Sequence, residues 1–291
     1  MDRIQNNAVL VRVRCTKWNN SITDKSITDQ VTLDKSADKG YLRVTKVLAK
    51  QACVKELNRI IGQVGNQVVR TWTVPWDDGT YLVTVDNLDR FERELRQKSD
   101  RLEELKVELR REWPSIIAED RNRLGSAFRE TDYPSADQIA DRYSITYELK
   151  PLPSGNDIRI NLPQDRIDSI REQVERDVSQ RVEQGAKVVH ERVADVLNTL
   201  IDGLERHGTK AAGAKRASKF ADSTVEAIER LAEALPGINL TGDPALTSVS
   251  NDLFLKLRDL DPQALRDDPA QRKQVTNVAK NIVNKLSGFY D

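Results

Sequence analysis

The chain has 291 residues, of which 32% are charged, 38% are hydrophobic and only 5% are aromatic. This length allows one large domain or two smaller ones, and the composition favours long helices with a narrow buried stripe over a thick globular core. Lys and Arg together number 46, as do Asp and Glu, so the formal net charge is zero. This balance excludes a general electrostatic attraction to nucleic acid or to anionic membranes.

Cysteine usage and hydropathy indicate the compartment. Cys15 and Cys53 stand alone, without a C-x-x-C motif, and are typical of reduced thiols in a cytosol-like environment. The N-terminal residues lack the apolar run of a signal peptide, and no apolar run approaches the ~18 residues of a membrane span. We therefore predict a cytoplasmic protein without a membrane segment.

The first 85 residues carry short periodic patterns. Residues 8–15 alternate as in a strand, residues 18–36 are rich in turn-forming types and predict a loop, and residues 41–65 have helical spacing that ends at Gly62 and Gly65. Residues 68–76 alternate again, with Trp72 and Trp76 on one face. The turn Asp77-Asp78-Gly79 then leads into a further strand. The pattern predicts a small α/β unit over residues 1–85.

Residues 86–111 form a long charged stretch with a heptad pattern, which predicts a helix. Asp86 can serve as its N-cap, and Pro114 predicts a kink or break. The seam positions are apolar at alternating steps of three and four, if Lys98 takes the missing position. They are Leu88, Phe91, Leu95, Leu102, Leu105 and Leu109.

A second long helix is predicted over residues 163–207, after a β-hairpin at about 143–161. Ser135 and Gln138 have capping-box spacing and predict a short helix before the hairpin. In the second long helix the apolar residues recur about every 3.7 residues, which differs from a heptad. The two helices can therefore share only part of a seam, and Gly185 with its neighbour Ala186 predicts a close approach or a bend.

The last third reads as a basic linker at 208–219 followed by three helices, at about 220–235, 245–260 and 269–286. The whole pattern predicts an α+β, predominantly α fold: a long helical hairpin with a β-hairpin at its tip, a small N-terminal α/β unit and a C-terminal helical subdomain. The predicted domain boundaries are 1–85, 86–207 and 208–291.

The sequence contains no motif for catalysis, and no spacing of ligands for a metal or a cofactor. The two histidines, His190 and His207, lie far from both cysteines, so a zinc site is not expected. There is no nucleophile elbow of the G-x-S-x-G type. The glycines at positions 62 and 65 have the spacing of a nucleic-acid clamp, but a helix end explains them better.

The strongest candidate interaction residues are the seam leucines Leu95, Leu102, Leu105 and Leu109. The second helix can cover only part of this stripe, and exposed leucines forfeit burial energy, so we expect a homo-oligomer. In the alternative, the C-terminal helices fold back and cover the stripe within one chain. Trp72 and Trp76 are expected to be core or partner-facing residues.

The only local basic patch lies in the linker. Lys210, Lys215, Arg216 and Lys219 could contact phosphates, although a solvated linker explains them better.

Residues 44–170 resemble an uncharacterised family of phage and bacterial proteins, a domain of unknown function. The resemblance rests on Val74-Pro75, the charged helix running to Trp113, the segment Tyr133-Pro134-Ser135-Ala136, and Arg142-Tyr143-Ser144-Ile145 before a proline-flanked hairpin. Genes of that family often neighbour those of MoxR-type AAA+ ATPases and von Willebrand factor A proteins. The resemblance implies an adaptor or client role, in the host cytoplasm if the protein is phage-encoded, and no catalytic residue.

These observations favour a non-enzymatic interaction or adaptor protein that self-associates or docks a partner through its long helices, possibly an AAA+ ATPase. The alternative is a nucleic-acid-binding accessory protein that uses the basic linker 210–219. A hydrolytic enzyme lacks the necessary constellation of residues.

Overall fold

The computed structural model describes residues 2–154, 163–209 and 217–287, and it confirms an α+β fold that is mostly helical. The helices are α1 (Asp2–Asn7), α2 (Lys25–Asp34), α3 (Ala52–Gln63), α4 (Arg70–Trp72), α5 (Val85–Leu124), α6 (Ala136–Ala140), α7 (Gln164–Arg206), α8 (Asp222–Ile238), α9 (Pro244–Lys256), α10 (Pro262–Asp267) and α11 (Pro269–Ser287). The strands are β1 (Ala8–Thr16), β2 (Ser21–Thr23), β3 (Thr45–Val47), β4 (Val74–Asp77), β5 (Thr80–Thr84) and β6 (Ser144–Pro151).

The strands form a four-stranded sheet in the order β4-β5-β1-β6 and a two-stranded sheet of β2 and β3. Strands β1 and β5 are antiparallel, with Ala8 opposite Thr84. The predicted turn between β4 and β5 is confirmed, since Asp78 and Gly79 both have positive φ, at 23° and 75°. The first strand of the hairpin predicted at 143–161 is present as β6, whereas its return strand, which contained Ile158 and Ile160, lies outside the described residues.

The chain divides into two compact units, each built from separate stretches. Unit 1 comprises Met1–Arg12, Val69–Phe91 and Glu148–Asp291, and unit 2 comprises Val13–Val68 and Glu92–Tyr147. These boundaries differ from the predicted 1–85, 86–207 and 208–291. The prediction assumed that residues close in sequence share one core. Each unit instead combines stretches that are far apart in the sequence, three in unit 1 and two in unit 2.

Unit 2 is organised around the heptad leucines of α5. Leu102, Leu105 and Leu109 are at most 1% exposed. They share a core with Trp113 and Ile116 of the same helix and with residues of α3, α6 and the adjoining loops, among them Leu57, Ile60, Ile61, Ile139 and Tyr143. The leucine stripe is therefore covered within its own unit, mainly by a helix that the sequence pattern assigned to a different domain.

Helix α5 continues through Pro114, so the predicted break is wrong. Proline removes a single backbone donor, and buried residues on both sides hold the helix in place. Trp113 is 5% exposed and Ile116 is 2% exposed, and the Trp113 indole donates a hydrogen bond to the carbonyl of Pro134 at 3.1 Å.

The predicted loop at 18–36 contains helix α2, because Asp24 caps it. The Asp24 carboxylate accepts a hydrogen bond from the Ile27 amide at 3.1 Å. The helix predicted from residue 41 instead begins at Ala52. Ala49 has a φ of 47°, which an α-helix cannot accommodate, and its amide donates to Asp120 Oδ2 at 2.6 Å.

Gly62 and Gly65 do not end their helix. Helix α3 continues through a π-helical turn, Val64–Val69, into α4, and only β4 remains of the strand predicted at 68–76. Val68, Val69 and Trp72 are all buried, so helical spacing outweighs the alternation. Thr73 ends the helix, with its amide and hydroxyl both donating to the carbonyl of Val69.

Unit 1 is organised around α7. Val189, Val193 and Leu197 are fully buried and share a core with residues of α8, α9 and α11, which include Ile228, Leu231, Val249, Leu253, Ala279 and Ile282. The three predicted C-terminal helices are present, with the additional short helix α10 between the last two. Leu102, Leu105 and Leu109 of α5 are therefore buried within unit 2 and the apolar stripe of α7 within unit 1, so neither set needs the expected seam between the two helices.

Candidate functional site

The predicted interaction residues are almost all core residues. Leu95, like the three leucines after it, is buried at 1% exposure, and Trp72 is buried at 2%. Trp76 is half-buried, and its ring centroid lies 5.7 Å from the guanidinium carbon of Arg181. Arg181 also donates a hydrogen bond to the Trp76 carbonyl at 2.8 Å. The leucine stripe and Trp72 are thus unavailable to a partner, which corrects the prediction.

The basic linker lies mostly beyond the described chain. Lys210, Lys215 and Arg216 fall outside the described residues, and Lys219 is exposed. Phosphate binding by this segment stays a prediction.

The titratable groups with strongly raised pKa values belong to the core of unit 2. Burial, with a smaller contribution from Glu112, raises the pKa of the Cys53 thiol to about 11. Burial raises the pKa of Tyr143 to about 12. Both groups are neutral at physiological pH, so the buried thiol is a poor nucleophile. Across the described ranges, no group of three or more His, Cys, Asp or Glu side chains could hold a metal ion.

Unit 1 contains a groove of about 690 Å³, a volume in the range of ligand-binding clefts. It is bounded by the start of the chain, the β5–α5 junction, the middle of α7 and the connector between α8 and α9. Its lining residues are Ile4, Asn7, Ala8, Thr84, Asp86, Ser179, Val182, Glu183, Pro236, Gly237, Asn239, Leu240, Thr241 and Gly242.

The charge of this groove is negative. Within the described part of its lining, the charged residues are Asp86 and Glu183, and both are exposed. Neither carboxylate forms an ion pair with any residue in the described parts of the chain. Asp86 lies in the first turn of α5, where the helix dipole favours an anion. The groove therefore presents two uncompensated carboxylates beside an apolar surface.

The end of α8 is fixed to the β5–α5 junction, which makes one wall of the groove rigid. Thr84 Oγ1 donates to the Gly237 carbonyl at 3.0 Å, and Asn87 Nδ2 donates to the Ala234 carbonyl at 3.0 Å. A Cβ atom at position 237 would lie 2.5 Å from the Asn87 side chain. This close approach requires glycine at position 237.

The connector that follows is fixed by a second network. Asn239 Oδ1 accepts from the Asp243 amide at 2.9 Å, and Asn239 Nδ2 donates to the Asp243 carbonyl at 3.0 Å. The Asp243 carboxylate caps α9 through the Ala245 amide at 2.7 Å and shares a 2.7 Å hydrogen bond with His190 Nε2. Gly242 has a φ of 67°, which suits glycine. The groove wall is thus held in one conformation, as a preformed binding site requires.

Sequence reasoning missed this groove, although part of its wall carries a local signal. Residues 239–244 read Asn-Leu-Thr-Gly-Asp-Pro, which combines a turn with an N-cap and a proline at the first helical position. Asp86 was interpreted only as a helix cap. No local pattern places Glu183 in the same groove as Asp86, because the second stretch of unit 2, Glu92–Tyr147, lies between them in the sequence.

Comparisons of the chain with protein-family models, curated proteins and solved structures found no match. Of the helices that the structure describes, none combines the length and hydrophobicity that crossing a membrane requires.

Proposed function

We propose that the protein is a non-enzymatic interaction protein, an adaptor that docks a partner protein in the groove of unit 1. The observation that carries this proposal is the groove itself, a cleft whose α8–α9 wall is fixed by hydrogen bonds from Thr84, Asn87 and Asn239. The long helix α7 contributes Ser179, Val182 and Glu183 to the groove. The proposal therefore keeps the expected docking through a long helix. It assigns the docking to the residues of α7 that line the groove instead of to the leucine stripe of α5.

A bacterial or phage origin and a MoxR-type AAA+ ATPase as partner remain part of the proposal. They rest on the resemblance of residues 44–170 to the uncharacterised phage and bacterial family. Nucleic-acid binding through the linker 210–219 is the second candidate, but the negative charge of the groove favours a protein partner over phosphate.

Blocking the groove with a large side chain tests the proposal. Thr241 lines the groove and is exposed, so Thr241→Trp fills space without disturbing a core. Ser248 is exposed on α9 and is not a lining residue, so Ser248→Trp is a matched control. The wild type and both variants serve as baits in cells that make the protein naturally, and captured proteins are quantified by mass spectrometry.

We expect a partner that the wild type and Ser248→Trp retain to equal extents and that Thr241→Trp loses. Equal recovery of every captured protein by both tryptophan variants would show that the groove does not dock a partner.

A further inference from the structure

We infer that the groove recognises a lysine- or arginine-bearing segment of its protein partner. This inference rests on the proposed docking function and names the chemistry that the groove selects.

The lining of the groove matches an amphipathic cation. Asp86 and Glu183 supply negative charge, and none of the lining residues that the structure describes is basic. Beside them lie the apolar residues Ile4, Ala8, Val182, Pro236 and Leu240. Lysine and arginine combine an aliphatic stem with a charged head, so the stem can pack on the apolar surface while the head reaches the carboxylates. An acidic side chain or a phosphate would instead be repelled.

The surface beside the groove extends the same charge along α7. Glu175, Ser179 and Glu183 follow at intervals of four residues and therefore lie on one helix face. Ser179 and Glu183 line the groove and also a shallower depression of about 500 Å³ on α7, which Glu172 and Glu175 line as well. A negative surface of this length suits an extended chain with several basic residues better than it suits a single small cation.

Arg176 is the one basic residue among the described residues that line this shallower depression, and it is already paired. Its guanidinium lies 3.4 Å from Glu172, and both side chains are about 70% exposed. Glu175 forms no ion pair with the described residues, so it remains available to an incoming cation.

Peptides of defined charge test the inference. The probes are fluorescein-labelled heptapeptides in which lysine and arginine alternate with alanine, and matched peptides with glutamine or glutamate at the basic positions. Fluorescence anisotropy measures their binding to the full-length wild type. We expect the basic peptide to bind about tenfold more tightly than the glutamine peptide, because exposed ion pairs contribute modestly. The difference should disappear at about 1 M salt, where the screening length is about 3 Å.

Two double variants locate the site. Asp86→Asn with Glu183→Gln removes the groove carboxylates and should abolish the preference for the basic peptide. Asp165→Asn with Glu226→Gln changes the net charge by the same amount at exposed positions outside the groove. This control variant should keep the preference for the basic peptide. Thermal unfolding of both variants verifies that they remain folded, and Thr241→Trp should weaken the basic peptide independently of charge.

Two results would overturn the inference and leave the docking proposal intact: an unchanged preference in Asp86→Asn with Glu183→Gln, or equal binding of all three peptides. Spermidine that bound as tightly as the basic peptide and displaced it would assign the groove to a free polyamine and also overturn the inference. The docking proposal is decided separately, by the protein captured with Ser248→Trp and lost with Thr241→Trp.

Discussion

At the scale of single residues, unit 2 contains a buried ionic cluster that holds three chain segments together. Lys46 of β3 is 5% exposed, and its Nζ atom lies 2.7 Å from Asp24 and 2.6 Å from Asp132. The same Nζ donates to the carbonyl of Ala127 at 3.0 Å. Because Asp24 also caps α2, the cluster joins β3, α2 and the 3-10 turn Glu130–Asp132. A buried ammonium with three acceptors is satisfied, and removal of one partner leaves charge uncompensated.

The cluster predicts a specific dependence of stability on pH. The hydrogen bond from Lys46 lowers the pKa of Asp24 below its ordinary value of 3.8. A carboxyl group whose pKa is lower in the folded chain than in the unfolded chain stabilises the fold at pH values above its unfolded pKa. This stabilisation is lost as the pH falls through the folded pKa. Burial alone would lower the pKa of Lys46, but hydrogen bonds to Asp132 and Asp24 raise it above 10.5. The stabilisation that Lys46 contributes is therefore present below pH 10.5 and is lost at more alkaline pH.

We expect Asp24→Asn to be less stable than the wild type at neutral pH and to lose less stability on acidification below pH 3.8. Chemical unfolding measured across this pH range checks the expectation. Asp29, exposed on the same helix, provides the control: Asp29→Asn should keep the wild-type pH profile. Parallel acid profiles for the wild type and Asp24→Asn would refute the assignment.

At the scale of elements, two glycines inside helices have opposite roles. Gly185 of α7 faces β4, and a Cβ atom there would lie 2.5 Å from Val74 Cγ1, so the expected close approach occurs here with a strand instead of with the other long helix. Gly62 of α3 is exposed, and a Cβ atom there would meet no atom within 4 Å. Glycine costs backbone entropy in both helices, but only Gly185 gains packing from its small size.

Alanine substitutions should therefore change stability in opposite directions. We expect Gly185→Ala to destabilise the protein by about 1–3 kcal/mol, because the extra methyl group displaces the buried Val74 side chain. Gly62→Ala should stabilise it by about 0.5–1 kcal/mol. Urea unfolding of both variants measures the two effects. A stabilising Gly185→Ala would show that α7 and β4 can separate without cost.

At the scale of the whole molecule, the leucine stripe of α5 belongs to the core and gives no reason for self-association. The argument for an oligomer assumed that Leu102, Leu105 and Leu109 remain uncovered, and all three are at most 1% exposed. The alternative prediction was correct that the chain covers its own leucine stripe. It was wrong about the cover, which α3 and α6 supply instead of the C-terminal helices. Any oligomer must form through another surface.

The variant Leu102→Lys with Leu109→Lys distinguishes the two readings. We expect it to unfold, because two buried positions would receive charges without partners. Val107 of the same helix is 65% exposed, so Val107→Lys should remain folded with the mass of the wild type. Circular dichroism and multi-angle light scattering measure both properties. A folded double variant with a smaller mass than the wild type would restore the stripe as an interface.

Local patterns in the sequence predict much of the secondary structure and little of the tertiary arrangement. The spacing of leucines and valines indicates which face of α5 and α7 is buried, and the capping box at Ser135 and Gln138 is present. Spacing does not specify what covers a face, so the pairing of α5 with α3 was missed. Helix α2 was missed because its Ser, Thr and Asp residues favour turns, and the cap at Asp24 outweighs them. The groove combines segments from four parts of the chain, none of which signals a site by itself.

The interleaving of the two units has a consequence for synthesis on the ribosome. Unit 2 ends at Tyr147, so all of its residues are available while unit 1 still lacks α7 to α11. Leu10 and Leu82 of unit 1 share a cluster with Val178 and Val182, which are made only after unit 2 is complete. Contacts so distant in sequence form slowly. Until α7 is made, Leu10 and Leu82 face each other across β1 and β5 but lack the cover of Val178 and Val182, and this exposed apolar surface is what a chaperone would bind.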